Sequence, residues 1–215
     1  MCDEWFSTSV SMVGNVTKEQ FPPAVTLILT IVFVSAYMAQ LLLAGSLSYN
    51  AGIEAVRVVR DVVGAGSVVF TWVFHSDHIH FLENVVVFSL AGWWVENRVN
   101  QERLLSVIVL VLGIGANTAA AILFGTFGVG ISGVTAGLVT IVALGHLEAL
   151  LDGDVHFMRN ASTFTLCLSF LLWIIGVIKP FSAGTAVEIH LLGVSIGIVW
   201  YAVEKYDHEF SYSLK

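Results

Sequence analysis

Residues 130–150 read GISGVTAGLVTIVALGHLEAL. The stretch from 131 onward is apolar enough, and about long enough, to cross a bilayer as a helix. It begins directly behind glycines at 125, 128 and 130, which mark a turn. Ser132 stands at its very start, so a hydroxyl sits at the mouth of a membrane-spanning segment. Gly133 and Gly137 form a GxxxG pair, with Ala136 one turn below the serine. Such a face of small residues lets a second helix backbone come close.

Working outward, five more segments approach or reach the roughly 20 apolar residues that a bilayer-crossing helix needs. The six are 24–45, 79–95, 104–124, 131–150, 161–178 and 184–203. The first, third and fifth contain no Asp, Glu, Lys or Arg. Pro22-Pro23 opens the first and Pro180 follows the fifth, in the manner of helix start and stop signals. The expected fold is therefore all-α, a polytopic membrane protein built as a six-helix bundle. Residues 1–22 form an N-terminal extramembrane segment, 23–204 the six-helix domain, and 205–215 a C-terminal tail. Within the domain, the connection 46–78 is long. Its residues 51–63, AGIEAVRVVRDVV, set Glu54, Arg57, Arg60 and Asp61 among apolar residues at helical spacing. That pattern predicts an amphipathic helix lying in the membrane interface.

Composition agrees with this reading. The chain has 215 residues, 57% of them hydrophobic and only 12% charged, where a soluble domain carries about a quarter. The net charge of −7 belongs to loops and tails, and nine Lys+Arg leave no basic patch for nucleic acid. Cys2 is terminal and Cys167 lies within an apolar span, so neither has the spacing of a disulfide or zinc site. Asp3, Glu4, Lys18 and Glu19 precede the first apolar run, unlike the basic start of a cleavable signal peptide. The first span thus reads as a retained anchor.

Lysine and arginine in short loops set orientation. With the N-terminus inside, Lys18, Arg98, Arg103, Arg159, Lys205 and Lys215 are cytoplasmic, while Arg57, Arg60 and Lys179 are outside. Six against three favours both termini inside. The starts of spans two, four and six then share the outer face, and those starts hold His80, Ser132 and His190.

A histidine at membrane depth is a functional candidate, because hydrocarbon selects against ionisable groups. A serine hydroxyl becomes a useful nucleophile only when a base within hydrogen-bond reach removes its proton. His190 is followed by Gly193 and Gly197, a second GxxxG, so close packing of spans four and six would bring imidazole and hydroxyl together. Acyl transfer also needs donors aimed at the developing oxyanion. His80 and Asn84, four residues apart, share one helical face, and the Ser132 backbone N–H is a third donor. Together these groups point to serine-protease chemistry inside the bilayer. Glu83 and Glu188, beside Asn84 and His190, suggest water or polar backbone in the cavity.

At this point the chain resembles the rhomboid family of intramembrane serine proteases. Gly130-Ile131-Ser132-Gly133 is similar to the family's GxSG, and His75-x4-His80-x3-Asn84 to its HxxxxHxxxN. His190-x2-Gly193-x3-Gly197 is similar to the histidine–glycine pattern of the last core helix, and Glu96-Asn97-Arg98 to the ExR that closes the second. The order holds from about residue 70 to 200. The resemblance implies a Ser132–His190 dyad without a carboxylate partner and an oxyanion hole of His80, Asn84 and the Ser132 N–H. It gives His75, Gly130, Gly133, Gly193, Gly197, Glu96 and Arg98 structural roles near the site. Substrates would be single-span or polytopic membrane proteins, cut near the outer membrane face through an acyl-enzyme, in the plasma membrane of a prokaryote. No cofactor or metal is expected, because a serine dyad needs none. The chain departs from the family at Ala136, where an aromatic residue often packs on the catalytic histidine. It also lacks the tryptophan–arginine pair of the long loop, with Trp72 only nearby.

Other readings have weaker support. His75, His78 and His80 suggest a zinc cluster, but no HExxH motif occurs. Asp152-Gly153-Asp154 lies in a polar loop rather than on two facing helices, as an aspartyl protease would require. Asp77 and His78 read as solvated loop residues, and His146, His156 and His208 as cytoplasmic-end residues without partners. A non-catalytic relative that binds membrane helices is the main alternative. Such proteins typically lack the serine or the histidine, and both are present here. A transporter would show internal repeats or a line of buried charges.

Overall fold

The computed structural model describes residues 24–44, 71–75, 77–97, 106–125, 130–151 and 187–213, with Leu104 and a few positions between 57 and 64. Regular structure among these residues is helical throughout. Helix α1 spans Ala24–Ala44, a single 3-10 turn occupies Thr71–Val73, and α2 spans His78–Glu96. A π-wound segment, Val107–Gly115, runs straight into α3, Ala116–Phe124. Helices α4, Ser132–Leu151, and α5, Val187–Ser213, complete the set. They correspond to spans one, two, three, four and six of the sequence. The fifth span, most of the 51–63 segment, Arg98 and both cysteines lie outside the described residues.

Among the described residues, two helices are long and apolar enough to cross a membrane by length and composition, Ala24–Leu42 and Val187–Tyr206. At about 1.5 Å per residue, the 21 residues of α1 extend about 30 Å, the thickness of a hydrocarbon core. Ile28, Ile31 and Leu42 of α1 and Leu191, Ile198 and Val199 of α5 are exposed. An apolar outer surface of this kind suits lipid, since in water it would be a large sticky patch.

The core runs from Leu29 and Phe33 of α1 through Trp72 and Phe88 to Ile108, Leu112, Leu138 and Val142. Phe33 of α1 is fully buried and takes Trp72 edge-on at 5.7 Å and Phe88 of α2 at 5.0 Å. The Trp72 indole also lies against Gly113, where an added Cβ would come within 2.9 Å of the ring. The π winding beside it is closed by the Ala116 N–H donating five residues back to the Val111 carbonyl. The buried Asn117 amide donates to the Gly113 carbonyl at 3.0 Å. An all-apolar stretch such as 104–124 carries no periodicity that would separate this winding from an ordinary α-helix.

Polar residues inside the apolar spans make the long-range ties. Glu96, buried at the end of α2, accepts from the Val25 and Thr26 N–H groups at 2.9 and 2.8 Å. It caps the otherwise unsatisfied start of α1 and places a carboxylate at the positive end of that helix dipole. Thr30 and Ser89 hydroxyls meet at 3.2 Å across the same interface. Glu96→Ala would strand one buried and one half-buried donor. We expect it to cost about 2–3 kcal/mol of stability, read as a lower thermal midpoint in detergent, with Glu96→Gln intermediate.

At the same end of the bundle, Glu148 of α4 accepts from the Tyr201 hydroxyl of α5 and pairs with Lys205 at 2.7 Å. Helix α5 continues past residue 203 to Ser213, which lets it carry this pair. His146 corrects the expectation that it has no partner. It is buried, stacks on Trp94 at 4.9 Å, and its Nδ1 sits 2.6 Å from the Val142 carbonyl. An imidazole can be satisfied by its own helix and a neighbouring ring, and neither contact is written in the local sequence.

Candidate active site

The candidate groups come from the starts of three helices. Asp77 is the N-cap of α2, its side chain accepting from the His80 N–H at 2.8 Å. Asp77 and His78 were expected to be solvated loop residues; His78 is exposed as expected but opens α2, and half-buried Asp77 caps it. An aspartate ahead of an apolar run is a capping signal, and His78 Nδ1 meets the Tyr37 hydroxyl of α1. The cap fixes where α2 begins and thereby places His80 in its first turn, with Asn84 one turn on. The Asn84 Nδ2 and His80 Nε2 atoms are 3.1 Å apart.

Gly130 joins this pair to the serine. Its φ of +114° is a left-handed conformation that side chains rarely adopt. A Cβ there would also press on His75 Cδ2 at 3.2 Å and His80 Nε2 at 3.3 Å. Its N–H donates to the Thr71 carbonyl at 3.3 Å, so the turn before Ser132 is moored to the turn before His75. Ser132 itself is half-buried and opens α4. The first N–H groups of a helix have no partner within it, so the Ser132 N–H is a donor at the positive end of the α4 dipole.

Helices α4 and α5 touch backbone to backbone. A Cβ built on Gly193 would overlap the Gly133 carbonyl oxygen, and one on Gly197 would lie 2.6 Å from the Gly137 oxygen. A Cβ on Gly133 would meet Ile189 Cγ2 at 2.6 Å and the Ile189 oxygen at 3.3 Å. Ser132 precedes Gly133 and His190 follows Ile189, so serine and histidine are flanked by residues in direct contact. His190 is buried, and its Nδ1 has no hydrogen-bond partner among the described residues. Ala136, also buried, offers only a methyl group at the position one turn below the serine.

His75 lies before α2 and is fully buried. Its ring packs edge-on against Phe81 at 5.0 Å, and Phe81 stacks on Tyr37 at 3.9 Å. Gln40 of α1 holds the His75 backbone on both sides, donating to its carbonyl at 2.6 Å and accepting from its N–H at 2.9 Å. Burial, and secondarily the neighbouring His80, push the His75 imidazole down from 6.5 to about 3. The folded protein thus keeps it neutral, whereas the unfolded chain binds a proton below about 6.5. Its contribution to stability is present above that pH and lost as pH falls toward 3. The thermal midpoint in detergent should drop between pH 7 and pH 4, and His75→Gln should flatten that slope. An unchanged slope in the variant would contradict this assignment.

Sequence reasoning missed Gln40 and Thr135. Gln40 was visible as a side-chain amide in the otherwise apolar span 24–45, where a polar group needs a partner. Thr135 donates to the Ser132 carbonyl at 2.8 Å and also reaches Asn84 Oδ1 at 3.3 Å. Among the described residues no group of three or more His, Cys, Asp or Glu is arranged to hold a metal ion.

No curated protein and no solved structure matches the chain. A family model for the Rhomboid domain matches residues 66–206, well over half of the sequence, a range that includes His75, His80, Asn84, Ser132 and His190. This is an integral membrane protein of helical architecture, and the chain belongs to the rhomboid family.

Proposed function

We propose that this protein is an intramembrane serine endopeptidase with Ser132 as nucleophile and His190 as its base. The observation that carries this reading is the α4–α5 contact at Gly133, Ile189 and Gly193. Residues 132 and 190 each adjoin this tight contact, and His80 lies against Gly130, which supports grouping the four side chains in one site.

The chemistry follows from the roles these groups can take. His190 accepts the Ser132 hydroxyl proton as Oγ attacks the scissile carbonyl carbon. The resulting oxyanion is stabilised by the Ser132 N–H, the Asn84 amide and the His80 ring. Collapse breaks the peptide bond, and His190 returns its proton to the departing amine. Water then attacks the acyl ester, giving its proton to His190, and a second collapse frees the carboxylate product and restores the serine hydroxyl. The substrate is a membrane-spanning helix, cut near the end of the bundle where α2, α4 and α5 begin, which Lys and Arg counts place outside. Both termini are then cytoplasmic.

The test is cleavage of single-span substrates by the full chain in liposomes, with product masses locating the cut. The expected result is cleavage within the outer third of the span, unaffected by a chelator. Absence of cleavage across substrates bearing small or helix-breaking residues at that depth would favour the helix-binding alternative.

A further inference from the structure

The hydroxyl of Thr135 lies between the nucleophile's own peptide and the side chain expected to hold the oxyanion. Thr135 is buried, one turn into α4, with its N–H on the Ile131 carbonyl at 2.8 Å. Its Oγ1 stands 2.8 Å from the Ser132 carbonyl oxygen and 3.3 Å from Asn84 Oδ1. A threonine hydroxyl carries one hydrogen, so it can satisfy only one of these two oxygens at a time. Asn84 is buried too, and its Nδ2 is 3.1 Å from His80 Nε2.

These distances make a chain running from Thr135 to Asn84 to His80, and the direction of the chain decides what Asn84 can do. When Thr135 donates to Asn84 Oδ1, the amide nitrogen faces His80. One of its two N–H groups then bonds the imidazole, and the other is free for a carbonyl oxygen held over Ser132. When the amide turns over, Nδ2 donates to Thr135 instead, and Oδ1 takes the His80 ring N–H. That arrangement turns the amide N–H groups away from the reacting carbonyl. The Ser132 carbonyl competes for the same hydroxyl hydrogen, so the balance between the two arrangements is built into the first turn of α4.

We propose that Thr135 is a positioning residue that fixes the Asn84 amide with its N–H groups toward the reacting carbonyl. The assignment rests on the catalytic reading above and adds to it a residue with no contact to the substrate. Valine is nearly the same shape as threonine and lacks the hydroxyl, so Thr135→Val removes the chain's first link with little change in packing volume.

The experiment is steady-state cleavage by the full chain in liposomes, comparing Thr135→Val, Thr135→Ser, Asn84→Ala and the Thr135→Val/Asn84→Ala pair. Loss of one oxyanion donor costs about 100-fold or more in kcat, and misdirecting one should cost less. We expect Thr135→Val to lower kcat by between about 10-fold and 100-fold with KM little changed, and Thr135→Ser to recover most of the loss. In the Asn84→Ala background, Thr135→Val should cause no further loss, because the group it positions is gone. Wild-type kcat in Thr135→Val, or an equal further loss in the Asn84→Ala background, would overturn the proposal while leaving the dyad standing. Failure of Thr135→Ser to recover activity would overturn it as well. Absence of Ser132-dependent cleavage in the unmodified protein would overturn both.

Discussion

Ser132→Ala should lower cleavage by about 10⁴-fold or more while changing stability by no more than about 0.5 kcal/mol. The serine side chain is half-buried, and the Thr135 bond to residue 132 is to the backbone carbonyl, which the substitution keeps. His190→Ala should lose activity to the same extent. It should also cost stability, because the ring is buried. His190→Gln, which refills part of that space without supplying a base, separates the two effects. Since nucleophile and base act as one unit, the double variant should be no slower than either single variant. A product of the two losses would mean that the residues work independently.

Gly193→Val is the second large effect. The Cα of Gly193 faces the Gly133 carbonyl so closely that any side chain overlaps it. The helices must separate or slide, and a shift of about 1 Å in a reacting pair is enough to cost about 100-fold. We expect a loss of at least that size, together with about 2–3 kcal/mol of stability for the overpacked interface. Ser195→Ala is the matched control on the same helix, since its exposed hydroxyl bonds the Leu191 carbonyl behind it. Near-normal activity in Gly193→Val would mean that the α4–α5 contact does not hold the dyad.

The parts of this architecture legible in the sequence are those that depend on local pattern. Apolar length marks the helix starts at Ala24, His78, Ser132 and Val187 to within a few residues, because a bilayer demands it, whereas α5 runs ten residues past its expected end at 203. The two GxxxG pairs announce a close approach. The interlocking of Gly133 with Gly193 and of Gly137 with Gly197 is the pairing that small faces on spans four and six would make. Bonds between distant positions were not legible. The Glu96 cap of α1, the Gln40 clamp on His75 and the Thr135 link to Asn84 join residues 35 to 71 apart. Each appears in the sequence only as a polar residue in an apolar stretch. His146 failed for the same reason, since Trp94 lies on another helix. The π winding of 107–115 was invisible because its residues are apolar on every side.

The central claim is that Ser132 is a nucleophile activated by His190, and covalent capture tests it most directly. The full chain in detergent is treated with a fluorophosphonate, which phosphonylates an activated serine and releases fluoride. The adduct is then located by peptide mass. One adduct per chain on Ser132, absent in Ser132→Ala and formed far more slowly in His190→Gln, is the result predicted here. No adduct on Ser132, or labelling at the same rate in His190→Gln, would contradict it.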